Sequence, residues 1–297
     1  MIVESKSISS KIFDLFNYIF LGLLAFICLY PMLHVLLGSF SDPVRFAVHR
    51  GVLLWPQGFS VEGYKIVLKN PNIWSGYGNT LFYVIVGTLF KLFMTSLGAY
   101  VLARKEFMFR KHLTIMTVFT MYFGGGLIPT YLLVQSLGIY NTRWAIILPA
   151  LISTWNLIIL KTAFQTVPAS LKESAELDGA NDLIILARII IPVSKATIAV
   201  IAMYYAVGEW NAWFNAMIYL RDRSKYPLQL FLREILLANS DSGNLTGEIM
   251  EEGSIELFIE EIVRYCTIIV STFPILCAYP FIQKYFVKGV MLGSLKE

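Results

Sequence analysis

Six apolar runs separated by polar stretches dominate the pattern of this chain, at about 15–39, 80–103, 113–136, 144–164, 196–220 and 263–286. At about 1.5 Å of rise per helical residue, each is long enough to cross ~30 Å of hydrocarbon. The pattern predicts an all-α, polytopic membrane protein with six transmembrane helices in a single domain, 1–297. Two long polar connections stand out. The first, 40–79, carries Pro43, Trp55 and Pro56; the second, 221–262, contains the stretch SDSGNLTGE, whose Ser, Gly and Asn content predicts an exposed connection over 238–253. The polar start, MIVESKSISSK, leads into an apolar run too long for a signal-peptide core, which predicts an uncleaved first span.

Composition agrees with this class. The chain of 297 residues is 57% hydrophobic and only 15% charged, with a mean hydropathy of +0.64, far too oily for a soluble surface of that length. A net charge of +4 without a basic stripe gives no reason to expect nucleic acid. Cys28, Cys266 and Cys277 lack disulfide or zinc spacing, and His34, His49 and His112 form no acid–base or ligand cluster, so neither a metal site nor a membrane enzyme is expected.

The short connection ARKEFMFRKH holds Arg104, Lys105, Arg110 and Lys111, whereas IYNTR, on the opposite side, holds only Arg143. The positive side of short loops is the cytoplasm. Both termini and the segment 165–195 are then expected inside, and 40–79 and 221–262 outside.

Within that inner segment lies ESAELDGANDLIILARIIIP, 173–192, polar and glycine-broken between two apolar runs. Ser170-Leu171-Lys172-Glu173 fits a capping box that starts a helix at Leu171, and Gly179 suits a left-handed end. Asn181 or Asp182 can cap a second helix, with Leu183, Leu186, Ala187 and Ile190 forming one apolar face and Pro192 marking its end. The expectation is a short amphipathic helix–Gly–helix hairpin.

The spacing Glu173-Ser174-Ala175, three residues ending in Asp178, Gly179, nine residues, Ile189, one residue, Ile191-Pro192 resembles the EAA motif of ABC importer permeases, E-A-A-x3-G-x9-I-x-L-P. Ser174 and Ile191 depart from the pattern by small changes of volume and polarity. The tail FIQKYFVKGVMLGSLKE, with FGGGLIPTYLLVQSLGIYNTRWAIILP and YAVGEWNAWFNAMIYL, is similar to carbohydrate-uptake permeases of the maltose-transporter G-subunit type, in the branch handling complex oligosaccharides such as alginate or pectin fragments. The likeness covers essentially the whole chain.

The resemblance implies an ABC type I importer permease fold in a bacterial cytoplasmic membrane and inward transport of an oligosaccharide by alternating access. It implies four kinds of partner: a homologous second permease, two ATPase subunits, an extracytoplasmic solute-binding protein and the bilayer. It gives Glu173, Ser174, Ala175, Asp178, Gly179, Ile189 and Pro192 the coupling to the ATPase, and Gly289, Gly293, Ser294 and Lys296 a place at the ATPase interface. Gly289 and Gly293 can alternatively just end a helix. The chain has no G-x-x-x-x-G-K-[ST] loop, so no cofactor is expected on it, and ATP and Mg belong to the partners. A polyol or glycerol-phosphate permease and an ion-coupled transporter remain as alternatives.

Other residues are candidates for the substrate pathway. Gly124-Gly125-Gly126 would break the third span and must face protein or water; close helix packing is preferred there over substrate contact. In GEWNAWFNA, Trp210 and Trp213 are expected on one helix face and Asn211 and Asn215 on the adjacent one, aromatics and amides that suit sugars; an interfacial aromatic belt is the competing reading. Lys91 and Glu209 fall near the midplane of the second and fifth spans, where a bare charge costs at least ~2.5–3.5 kcal/mol. Lining of the translocation cavity, with the two paired in one access state, is favoured over snorkelling.

Overall fold

The computed structural model describes residues 8–238 and 252–294, and among these the regular elements are helices, with one isolated bridge between Ser41 and Phe59. Three described helices are long and apolar enough to cross a membrane: Ile8–Ser39, Pro71–Ala103 and Ile259–Pro280. The number rises to five if each of two sharply bent pairs counts as one span.

Three of the apolar runs are interrupted, the third run at the glycine triad, where a break was expected. The third apolar run divides into Arg110–Tyr122 and Leu127–Ser136, 115° apart, because Gly124–Gly126 leaves the helix and Gly126 takes φ +85°. The fourth is helical over Trp144–Ile147 and again over Thr154–Gln165; between them Pro149 lacks the N–H a continuous helix requires. The fifth is helical over Lys195–Trp210 and Phe214–Tyr219, with a break at 211–213.

The chain falls into two compact units, one of Met1–Asn70 with Ile235–Phe273, the other of Pro71–Glu234 with Pro274–Glu297. In the first, small residues allow close approach. A Cβ on Gly38 would lie 2.8 Å from the Tyr265 ring, and one on Gly63 would lie 2.7 Å from Cys266 Sγ. The buried Cys266 thiol donates to Ser39 O at 3.3 Å. The long helix Ile8–Ser39 has no buried residue in its most apolar window. Phe13, Phe16, Ile19, Leu23 and Phe26 are more than half exposed.

In the second unit the long helix Pro71–Ala103 packs on Thr154–Gln165 and Lys195–Trp210. A Cβ on Gly98 would come within 3.1 Å of Leu157, so this helix pair is closely seated. The helix Pro71–Ala103 contains one wide, π-type turn at Tyr83–Gly87. Such turns add a residue and re-aim the side chains that follow. Here those side chains include Lys91.

Candidate coupling segment and transport path

The polar segment is a hairpin. Its first helix is Ala169–Leu177, which corrects the capping-box expectation. Pro168, already fixed in an extended conformation, precedes the helix and accepts from Leu171 N at 3.2 Å, so Ser170 lies inside the first turn and makes no cap. Gly179 ends the helix at φ +79°. Gly179 N donates to Glu176 O at 3.0 Å and Ala180 N to Ala175 O at 2.9 Å, the paired bonds of a Schellman turn. Asn181 then caps the next helix, accepting from Ile184 N at 2.9 Å.

The buried face of this second helix differs from the one expected. Ile185, Leu186 and Ile190 are buried, whereas Leu183 and Ala187 are exposed. The physical reason is a π-type turn at Leu186–Ile190, which shifts the face by one residue relative to a regular 3.6-residue period. Ile185, Leu186, Ile190 and Ala175 share a core with Ala99, Leu102, Leu160 and Phe164, with Ile189 packed against it. Pro192 is exposed in the last turn, Ile191–Val193, and a 90° bend follows into Lys195–Trp210.

Asp182 joins the hairpin to the end of the long helix. Its carboxylate accepts from Tyr100 Oη at 2.9 Å and pairs with Arg104. Arg104 also reaches Glu176 at 3.4 Å, and Lys172 pairs with Glu106 at 3.2 Å. A backbone N–H and then the Lys172 ammonium hold the Glu106 carboxyl below its usual range. Sequence reasoning used Arg104 only as an inward-side charge; besides the neighbouring Glu106, its partners Glu176 and Asp182 lie more than seventy positions away.

The far side of the hairpin is bare. Glu173 is exposed and has no ion pair among the described residues, and Ser174 and Asp178 are exposed beside it. Leu177 is 89% exposed and Leu183 66%, so two large apolar side chains stand on a polar hairpin with nothing covering them. Gly289, Gly293 and Ser294 belong to the final turns of the helix Glu252–Ser294, which continues through both glycines; Lys296 and residues 239–251 lie outside the described residues.

Lys91 and Glu209 meet. The two side chains form an ion pair and are 6% and 4% exposed, so neither opens onto solvent within this chain. Gly87 makes room for the carboxylate, since a Cβ there would sit 3.3 Å from Glu209 Cδ. The Lys91 ammonium lies 5.9 Å from the centre of the Tyr205 ring. Tyr205 Oη bonds Thr95 at 2.7 Å and accepts from Ser153 N at 3.1 Å. Three helical segments are therefore tied together around one buried charge pair.

The shared-face expectation for GEWNAWFNA does not hold, because the helix ends at Trp210. Trp210 is buried, with Tyr77 6.4 Å away between ring centres. Asn211 turns back on its own helix, donating to Val207 O at 2.9 Å. Asn215 and Trp213 are half-buried, and Trp213 lies under the guanidinium of Arg233, 4.3 Å from the ring centre. In the glycine triad, a Cβ on Gly124 or Gly126 would meet nothing within 4 Å among the described residues, and one on Gly125 would lie 3.8 Å from Pro129 Cβ.

An all-helical chain with apolar spans and a glycine-turned polar hairpin has the build of a transporter's membrane subunit. No family model matches the chain. It is 42% identical over 287 residues to the polygalacturonan/rhamnogalacturonan transport system permease protein YtcP of Bacillus subtilis, covering 97% of this chain and 99% of that one. It is 40% identical over 288 residues to LplC of the same organism, with 97% and 96% covered. A solved bacterial ABC transporter that imports the acidic polysaccharide alginate contains a similar chain, 32% identical, with a TM-score of 0.86 and coverage of 96% and 100%. The chain belongs to the permease subunits of ABC importers for sugar uptake. It is a transport subunit, and ATP hydrolysis is the work of separate ATPase subunits.

Proposed function

We propose that the chain is one half of the membrane channel of an importer for acidic oligosaccharides, of the kind released from pectin. The full-length 42% identity to a polygalacturonan/rhamnogalacturonan permease carries this reading. The likeness to a chain of an alginate importer adds a second acidic polymer. In this reading the six apolar runs cross the cytoplasmic membrane, bent or straight, in a single permease domain with both termini inside. A homologous permease covers the other half of the path. A solute-binding protein delivers the sugar, and two ATPases drive the cycle.

The hairpin at 169–193 is the coupling element. Bare Leu177 and Leu183 supply apolar contact to the ATPase, and Glu173 supplies a carboxylate for a basic partner. Asp182, Arg104 and Tyr100 carry the displacement into the long helix Pro71–Ala103. Rigid-body rocking of this kind needs a stiff link between lever and span.

The test is uptake by the complete importer in proteoliposomes loaded with ATP, offered a short oligogalacturonate, a neutral glucan of equal length, or glycerol phosphate. Uptake of the galacturonate alone, independent of an ion gradient, is expected. Preference for the glucan or for glycerol phosphate, or dependence on an ion gradient, would overturn the reading.

A further inference from the structure

Four arginines of the second unit, Arg143 before the fourth run and Arg221, Arg223 and Arg233 after the fifth, lie against aromatic rings. Arg143 sits over Phe82, Arg221 over Tyr140, Arg223 over Tyr226 and Phe231, and Arg233 over Trp213. Contacts of this type occur about once per 70–80 residues, so four among these segments is a concentration. Their polar partners separate them. Arg143 donates to Asn79 Oδ1 at 2.9 Å. Arg221 Nε donates to Tyr140 Oη at 3.1 Å. Arg223 pairs with Glu234 at 2.6 Å.

Arg233 is different. Among the described residues it has no carboxylate partner, and the acceptor it does have is the thioether of Met217, 2.9 Å from Nη1. A thioether is a weak acceptor, and a guanidinium carries five N–H donors. The indole at 4.3 Å is the shortest of these cation–ring contacts. Both residues are half-buried, which strengthens an ion contact relative to open water. Trp213 stands in the break after Trp210, past the C-terminal end of the helix that carries Glu209, the end expected to face outward. Phe82, Tyr226 and Trp213 flank one apolar cluster, around Tyr83, Ile147 and Leu230, so the cation rests on a rigid base.

We propose that Arg233, held on Trp213, binds the carboxylate of a uronic acid residue at the outer mouth of the path and so selects acidic over neutral oligosaccharides. A planar guanidinium donates two parallel N–H bonds to a carboxylate, a pairing that a neutral hydroxymethyl group or an ester cannot reproduce. The aromatic beside it offers the sugar ring an apolar surface. This site rests on the acidic-oligosaccharide reading above.

The experiment uses the complete importer in proteoliposomes and two probes, a short oligogalacturonate and its full methyl ester. Arg233→Gln is expected to raise the KM for the acid about tenfold, equivalent to 1.4 kcal/mol. The KM for the ester and the ATPase rate without sugar are expected to stay unchanged. Arg233→Lys, which keeps the charge but loses the fork and the stack, is expected to recover only part of the effect. Trp213→Leu is expected to lower discrimination with Arg233 still present. Co-purification of all subunits with each variant establishes that it folds. An equal change for acid and ester, or none for either, overturns the proposal while leaving the transport reading intact. Wild-type importer that takes up neither probe overturns both. If Arg233→Gln instead weakens association of the sugar-free binding protein with the permease, the residue serves protein docking and the sugar contact is overturned.

Discussion

At the scale of single residues, Gly179 is the position where backbone geometry most directly constrains the hairpin proposed to couple to the ATPase. Its φ of +79° is open to glycine and costs an ordinary L-residue roughly 1–2 kcal/mol. Nothing lies within 4 Å of a Cβ there, so conformation, not crowding, decides the outcome. Gly179→Ala is therefore expected to weaken coupling while leaving the complex assembled. Gly179→Pro fixes φ near −65° and also removes the N–H that bonds Glu176 O, so it is expected to abolish sugar-stimulated ATPase activity and lower ATPase association. Glu173→Ala removes no intramolecular ion pair among the described residues, so any loss of coupling it causes reports contact with the ATPase. Wild-type transport by both Gly179→Pro and Glu173→Ala would remove the hairpin from the coupling role. The spacing of Glu173, Gly179 and Pro192 was legible without coordinates, because each residue's part is local. The reach of Arg104 to Asp182 was not, because it depends on how the hairpin folds back on the long helix.

At the scale of helices, the Lys91–Glu209 pair joins Pro71–Ala103 to Lys195–Trp210. Both charges were visible as anomalies in apolar runs, and pairing in one access state was expected; the closure of the pair within this chain was not. The wide turn at Tyr83–Gly87 sets the rotation of Lys91, and periodicity counted from a regular helix misses it. The same limit explains the misread face of the hairpin, where Ile185 replaces Leu183 in the core. Removing one partner of a buried pair leaves an uncompensated charge, at a cost of roughly 3–5 kcal/mol; replacing both with uncharged groups of similar volume is often neutral. Lys91→Met and Glu209→Gln are each expected to lower the thermal midpoint of the purified complex, and the double variant is expected to regain most of the loss. A double variant that loses the sum of the two singles would mean that the pair contributes no coupling energy. If the double variant is stable yet does not transport, the pair must separate or exchange partners during the cycle. The swap Lys91→Glu with Glu209→Lys then asks whether the sign order matters to the sugar.

At the scale of the whole molecule, the chain carries surfaces that it cannot cover itself. The apolar window of Ile8–Ser39 is unburied, and lipid or an apolar partner helix can cover it. The break at Phe123–Gly126 is a different problem, because backbone groups outside a helix have no partners in hydrocarbon. A Cβ on Gly124 or Gly126 meets nothing within 4 Å among the described residues, so their covering is expected from another subunit or from a water-filled path. Glycine at such a break permits a second backbone to approach closely. Gly124→Leu separates the possibilities, since a Cβ at that position meets nothing within 4 Å among the described residues. If the second permease packs there, the variant is expected to insert normally and keep its helix content by circular dichroism, yet lose co-purification of the sister subunit. If the break lines water, assembly is expected to survive and transport to fall as the path narrows. Normal assembly together with normal transport would leave the triad facing lipid, and would put the membrane depth assigned to the third apolar run in error.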